Sequence, residues 1–142
     1  TGSLNFAHLP KLKKLGEAVF TDNASLTAVN FPLLEEIGHI CFNGGSNISG
    51  NGLKISYISL PAVKKIGRGA FHGNYKNSGV AVLLGAMPEV DFTPYSDDDP
   101  FHDGSVAFGQ MKAPVLYVTP ANKTTYQITD GKWKNFTVQE LK

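Results

Sequence analysis

The hydrophobic residues of this chain follow a pattern that occurs three times with the same internal spacing, in Leu9–Phe20, Phe31–Phe42 and Leu60–Phe71. Each copy begins with an apolar residue and a proline. Five positions after the proline comes a Leu or Ile followed by glycine, and a phenylalanine ends the copy four positions after that glycine. A period of roughly 20–50 residues predicts a repeat fold whose copies stack, because no single copy can bury its own apolar face.

A fourth copy is split by an insertion. Aligned on its proline, Met87–Val90 forms the front half and Asp103–Phe108 the back half, with 91–102 inserted around an acidic stretch. The pattern therefore predicts repeats over residues 1–112 and a capping segment over 113–142.

Each column of the repeat has a physical reason. The stretch before the proline alternates apolar and other residues, which predicts one short strand per copy and a parallel sheet. Proline ends the strand because it offers no amide to the ladder. The glycine is expected to allow a turn with positive φ, and the phenylalanine to stack on its equivalents in the interior. The fold class predicted is an α/β-type repeat solenoid made mostly of strand and loop.

The last thirty residues depart from the repeat. Val115–Val118 predicts one more strand, and 122–127 predicts a short helix with Asn122 as its N-cap. A final strand is expected over 137–141. Trp133 and Phe136 are suited to cover the apolar end of the stack.

The pattern resembles the BspA-like, or Treponema pallidum-type, leucine-rich repeats. The resemblance covers 4–108, and the closing stretch 116–136 is similar to the ends of such proteins from gut bacteria related to Bacteroides. It implies a leucine-rich-repeat ladder in a surface-exposed or secreted bacterial protein, of a kind that mediates adhesion to host matrix proteins or to other bacteria.

Composition and charge argue against several classes of function. A net charge of +1, with lysine pairs offset by Glu35 and Glu36 at the same repeat position, does not favour nucleic-acid binding. The longest apolar run, Val80–Leu84, is too short to enter a membrane as a helix. The single cysteine, Cys41, occupies a column of small residues and is expected to be a buried thiol. Without a nucleophile elbow, a phosphate loop or metal-ligand spacing among the histidines, we expect no enzyme and no cofactor.

The candidate sites lie on the sheet and in the insertion. Strand alternation predicts two outward residues per copy: Phe6 and His8, Ala28 and Asn30, Tyr57 and Ser59, Leu84 and Ala86. The candidate binding residues among them are Phe6, His8, Asn30, Tyr57, Ser59 and Leu84. The aspartates of the insertion, Asp97, Asp98, Asp99 and Asp103, are a weak metal candidate, because carboxylates suit calcium but their order is not that of a known calcium loop.

These observations favour a non-enzymatic binding or adhesion module that recognises an extracellular protein or glycan. The alternative is a structural spacer within a larger surface protein, and a remote one is metal-dependent activity in the acidic insertion. No cap precedes the first copy in the sequence, so its interior edge is expected to be exposed. Such an edge indicates either a homodimer formed through it or residues missing upstream.

Overall fold

Short parallel strands make up most of this protein, which is of α/β type with two sheets and one helix. The computed structural model describes residues 6–20, 26–42, 55–71, 80–91, 114–128, 133 and 136–141. The strands and the helix are, in chain order, β1 Phe6–His8, β2 Lys14–Leu15, β3 Ala28–Asn30, β4 Glu36–Ile37, β5 Tyr57–Leu60, β6 Lys65–Ile66, β7 Ala81–Leu84, β8 Glu89–Val90, β9 Val115–Val118, α1 Pro120–Ile128 and β10 Thr137–Glu140.

Both sheets follow the order of the sequence copies. The large sheet has the strand order β1-β3-β5-β7-β9-β10, and the small sheet has the order β2-β4-β6-β8. All neighbours within them are parallel. The prediction of one strand per copy was incomplete, because each copy adds a second, two-residue strand after its proline. Such a strand is too short for hydrophobic alternation to reveal it.

The fourth copy is in a different register from the one predicted. The strand partners are Ala7, Val29, Ile58 and Val82. Because Leu60 pairs with Leu84, Gly85 takes the position that Pro61 holds in the third copy. The alignment on Pro88 was therefore wrong by three residues. The apolar alternation of Val82 and Leu84, both buried, determines the register, and the proline does not.

The core lies between the two sheets and is built from repeated columns. Val29, Ile58, Val82 and Leu116 are fully buried in the large sheet, and Leu15, Ile37 and Ile66 are buried in the small sheet. The predicted phenylalanine stack is confirmed. The Phe42 ring lies 5.2 Å from that of Phe20 and 5.0 Å from that of Phe71, with the planes within 5°.

Glycine occupies this repeated position for a reason other than the predicted one. Gly16, Gly38 and Gly67 do not have positive φ, so the expected left-handed turn at these positions was wrong. A Cβ atom on Gly38 would lie 2.6 Å from the Gly16 backbone, and one on Gly67 would lie 2.6 Å from Gly38. Glycine is needed in the stacked copies because the backbones approach closely.

The left-handed residues occur two positions later in each copy. Ala18 has φ 57°, Ile40 has φ 45° and Gly69 has φ 61°. Only the third copy has glycine at this position, and glycine adopts such a φ without strain.

The helix of the C-terminal segment begins earlier than predicted. Pro120 is its first residue, a position where the missing amide costs nothing. The N-cap is therefore Thr119, not Asn122. The backbone N–H and the side-chain amide of Asn122 donate to the carbonyl and the hydroxyl of Thr119, both at 3.0 Å. The expected strands over 115–118 and 137–141 are confirmed, the second ending at Glu140.

Three aromatic side chains join this segment to the core. Tyr126, Trp133 and Phe136 are all buried, and the Tyr126 and Trp133 rings meet edge to face with centroids 5.0 Å apart. The hydroxyl of Tyr126 donates a 3.1 Å hydrogen bond to the Gly85 carbonyl, and burial raises the pKa of this tyrosine. The Lys123–Glu140 ion pair, 3.1 Å long, links the helix to β10.

Candidate binding surfaces

The outer face of the large sheet consists of two rows of side chains that point away from the core. The first row is Ala28, Tyr57, Ala81, Val115 and Thr137, next to which the backbone of Phe6 pairs with Ala28, and the second is His8, Asn30, Ser59, Leu83, Tyr117 and Gln139. Neither row contains a Lys, Arg, Asp or Glu residue. The two rows together are called the outer face below.

Tyr57 is the most accessible apolar side chain of the described part of this face. Its side chain is 39% exposed, and it is flanked in its row by the methyl groups of Ala28 and Ala81. Because both neighbours are small, they cover less of the ring than larger side chains would. An accessible aromatic ring on a rigid strand is typical of a recognition site.

The other predicted binding residues lie in different environments. His8 is exposed, and its Nδ1 donates a 3.1 Å hydrogen bond to the backbone carbonyl of Asn30. Asn30 is half-buried in the same row, and Ser59 is only 7% exposed between Asn30 and Leu83. The backbone of Phe6 pairs with Ala28 at the start of the first row. The structure thus places these four positions and Tyr57 on one sheet.

Leu84 was assigned to this face wrongly. Its side chain is buried in the core, because the three-residue error in register reversed the inward and outward positions of the fourth strand. Ala81 and Leu83 occupy the outward rows instead. Ala86, which was also expected there, follows the end of β7.

Tyr117 and Leu83 were missed by the sequence analysis. They are partners in the second row, and both are half-buried. Alternation in Val115–Val118, with Leu116 and Val118 buried, was sufficient to place Tyr117 outward. Tyr117 lies two strands away from Tyr57 and two residues further along the strand direction. With about 4.8 Å between strands and about 3.3 Å per residue, the two backbone positions are roughly 12 Å apart.

The small sheet carries charge of alternating sign. Lys14, Glu36, Lys65 and Glu89 form one row across its four strands. Lys14 and Glu36 are 3.0 Å apart, and Lys64 and Glu35 in the adjacent row are 3.2 Å apart. The hydrogen bond and the charge of Lys14 lower the pKa of Glu36 below its ordinary value of 4.5. This alternation confirms that the lysine pairs and Glu35–Glu36 offset each other, and it leaves no patch of one sign along the row.

A groove of about 480 Å³ crosses the small sheet over this row. The glycine column and His39 line part of it. His39 is exposed, and its Nδ1 accepts a 2.9 Å hydrogen bond from the backbone N–H of Arg68, so this nitrogen is already engaged within the protein.

Cys41 is a buried thiol, as expected. It has no exposed surface, and burial raises its pKa to about 11. A protonated, inaccessible thiol does not favour a nucleophilic role.

The acidic candidates Asp97, Asp98, Asp99 and Asp103 lie outside the described residues. Within the described ranges, no group of three or more His, Cys, Asp or Glu residues is placed to hold a metal ion. In the same ranges, no helix has the length and hydropathy needed to cross a membrane.

Comparison of the chain with protein-family models, curated proteins and solved structures found no match. The assignment to the α/β class with parallel strands therefore rests on the observed strands alone. The geometry of the two sheet faces is the basis for inferring a function.

Proposed function

We propose that this chain is a leucine-rich-repeat solenoid that serves as a non-enzymatic binding module, secreted or exposed at a cell surface. The equivalent strands of successive copies pair in register in both sheets, and the glycine and phenylalanine columns stack. These features support a ladder in which each copy contacts its neighbours. Residues 113–142 act as its cap, with Tyr126, Trp133 and Phe136 covering the core.

The observation that carries the proposal is the composition of the outer face. The small sheet presents a charged row, whereas both rows of the outer face lack charge and contain Tyr57, Leu83 and Tyr117. An uncharged surface that presents apolar and aromatic side chains is typical of a site where another molecule binds.

The ligand class follows from the same side chains. Tyrosine rings bind apolar surface with little loss of side-chain entropy, while their hydroxyls and the nearby Asn30 and Gln139 offer neutral hydrogen-bonding groups. Such a surface suits a neutral extracellular ligand, either a glycan or an uncharged patch of a protein.

Binding to an immobilised panel of glycans and extracellular matrix proteins tests the proposal. We expect saturable binding by the wild type, and a loss of at least tenfold in affinity in the double variant Tyr57→Ala/Tyr117→Ala. Leu33→Ala is the matched control, because Leu33 is an exposed apolar residue, 48% accessible, that lies outside both rows of the outer face.

Two results would contradict this assignment. Equal affinity of the wild type and the tyrosine double variant, with both unchanged in thermal unfolding, would move the site away from the outer face. Absence of binding to the whole panel would favour the structural spacer, since a spacer needs no exposed aromatic residues.

A further inference from the structure

The outer face is a long and narrow strip. Its second row runs across all six strands of the large sheet, from His8 to Gln139, and the first row lies two residues away along the strands. With about 4.8 Å between strands and about 3.3 Å per residue, the strip is roughly 24 Å long and roughly 7 Å from row to row. A ligand that matches this shape is itself long and narrow, and it lies across the strands.

The strip is much smaller than a stable protein interface. Each partner in a specific protein complex typically contributes about 800 Å² of surface, with aromatic anchors clustered near the centre. In the described part of the outer face, Tyr57 is the most accessible apolar side chain, whereas Leu83 and Tyr117 are half-buried. A folded protein would have to rely mainly on contacts beyond the two rows, whereas a single linear chain can bind within them.

The backbone beneath the strip is already hydrogen-bonded within the sheet. The strands β5, β7 and β9 each have a parallel partner on both sides. A peptide lying across them would bring an N–H and a C=O group with each residue, and the groups facing the strip would lose water without gaining backbone partners. A sugar chain avoids this cost, because the hydroxyls at the rim of each ring stay in water while a C–H face packs on the protein.

Tyr57 is placed to stack on a sugar ring. Its side chain is 39% exposed, and the small side chains of Ala28 and Ala81 flank it in its row. The face of an aromatic ring carries partial negative charge, which attracts the polarised C–H bonds on the face of a sugar. Neutral polar groups lie nearby. Ser56, which is exposed, precedes Tyr57, and the half-buried Asn30 is on the neighbouring strand.

Tyr117 provides a second contact on the same strip. Its backbone lies two strands and roughly 12 Å from that of Tyr57. Leu83 is its partner on one side in the second row, and Gln139 is its partner on the other. One sugar ring is too small to reach both tyrosines, but a chain of several rings spans them. Because neither row contains a charged residue, the strip suits a glycan without carboxylate or sulfate groups.

We infer that the outer face binds a linear, neutral glycan that lies across the strands, stacks one sugar ring on Tyr57 and reaches Tyr117 with a more distant one. This inference rests on the binding function proposed above, and it specifies the class of the ligand and its direction on the sheet. Because the two contacts are separated, affinity should increase with the length of the glycan.

Unbranched, uncharged disaccharides and hexasaccharides of glucose, mannose, xylose and N-acetylglucosamine, in several linkages, are suitable probes. An immobilised array finds the linkage that binds, and calorimetric titration with the free sugars then gives the affinities. We expect the hexasaccharide to bind at least tenfold more tightly than the disaccharide of the same linkage. Because no ionic contact is involved, 1 M salt should change either affinity by at most about twofold.

Three substitutions test the two tyrosine contacts separately. Tyr57→Ala should weaken binding of the disaccharide and the hexasaccharide alike, by at least tenfold, whereas Tyr57→Phe keeps the stacking ring and should keep most of the affinity. Tyr117→Ala should remove most of the advantage of the hexasaccharide and leave the disaccharide unaffected. Leu33→Ala is the control, because this exposed side chain lies outside both rows.

Absence of binding to every neutral glycan would overturn the inference. If a matrix protein then bound in a manner that requires Tyr57, the binding function proposed above would still stand. Equal affinities for the disaccharide and the hexasaccharide would show that the ligand does not lie across the strands. Glycan binding that a folded Tyr57→Ala protein retains would contradict both proposals. If Tyr117→Ala fails to fold, the dependence of wild-type affinity on chain length decides the outcome.

Discussion

A methyl group on Gly38 would lie 2.6 Å from both the carbonyl carbon and the carbonyl oxygen of Gly16. Real Cβ atoms do not approach backbone atoms so closely, so successive copies can stack at this spacing only with glycine in the column. The small sheet thus depends on residues without side chains as much as on its buried Leu15, Ile37 and Ile66.

We predict that Gly38→Ala destabilises the protein and that Gly16→Ala does not. The first substitution forces two strands apart, which typically costs about 1–3 kcal/mol. The second places a methyl group in open space at an ordinary φ, and the more restricted unfolded chain should stabilise the protein by about 0.4–1 kcal/mol. Urea unfolding of both variants measures the difference. Equal losses would show that the close approach does not control the stacking.

Ala18→Gly should increase stability. Ala18 is exposed and has φ 57°, where an L-residue with a Cβ is strained. Relief of that strain exceeds the added entropy of the unfolded chain, for a net gain of up to about 1 kcal/mol. Ala86→Gly is the control, because Ala86 is exposed without positive φ, so the variant should lose about 0.4–1 kcal/mol through the greater entropy of its unfolded chain. Thermal unfolding measures the stability of both variants. A loss of stability in both would contradict the inference that Ala18 is strained.

Glu36 should make stability depend on pH on the acid side. Lys14, through its hydrogen bond and its charge, lowers the pKa of Glu36 in the folded protein below 4.5. The contribution is therefore fully present above the unfolded pKa and is lost as the pH falls through the folded value. Glu36→Gln should flatten the stability profile below about pH 5.

Salt provides the control for this prediction. The side chains of Lys14 and Glu36 are 72% and 46% exposed, so the difference between wild type and Glu36→Gln should be small and should shrink in 1 M salt. Urea midpoints between pH 3 and 7 give both profiles. Parallel profiles at low salt would show that the ion pair contributes nothing.

Cys41 should resist thiol reagents in the native protein. Burial raises its pKa to about 11, so at pH 8 the thiol is almost fully protonated as well as inaccessible. Because the chain has a single cysteine, labelling with a chromogenic disulfide gives one signal, which we expect only after denaturant is added. Stoichiometric labelling without denaturant would mean that this part of the core opens readily.

The copies could be recognised from the sequence because proline, glycine and phenylalanine recur at fixed offsets in three of them. The fourth could not be aligned in this way. Its strand is followed by Gly85 in place of proline, and the next proline lies three residues further on. A Cβ on Gly85 would overlap the carbonyl oxygen of Pro61, so this close approach of the two backbones requires glycine there. The two residues are far apart in the sequence, so a single sequence does not reveal this contact.

The candidate site was recovered in part for the same reason. Tyr57, Asn30 and Ser59 belong to well-marked copies, and alternation placed them on the correct face. Leu84 was misplaced with the register of its copy. Tyr117 was overlooked because its strand was treated only as part of the end segment, although it continues the same face.

Insertions and deletions affect the copies and the segments that join them differently. Phe6, Ala28, Tyr57 and Ala81 are successive strand partners, although they are 22, 29 and 24 positions apart. The pairing of equivalent strands therefore does not depend on the length of the segments that join the copies. Insertions and deletions there can accumulate freely, whereas loss of one residue inside a copy would shift every later side chain in it to the opposite face.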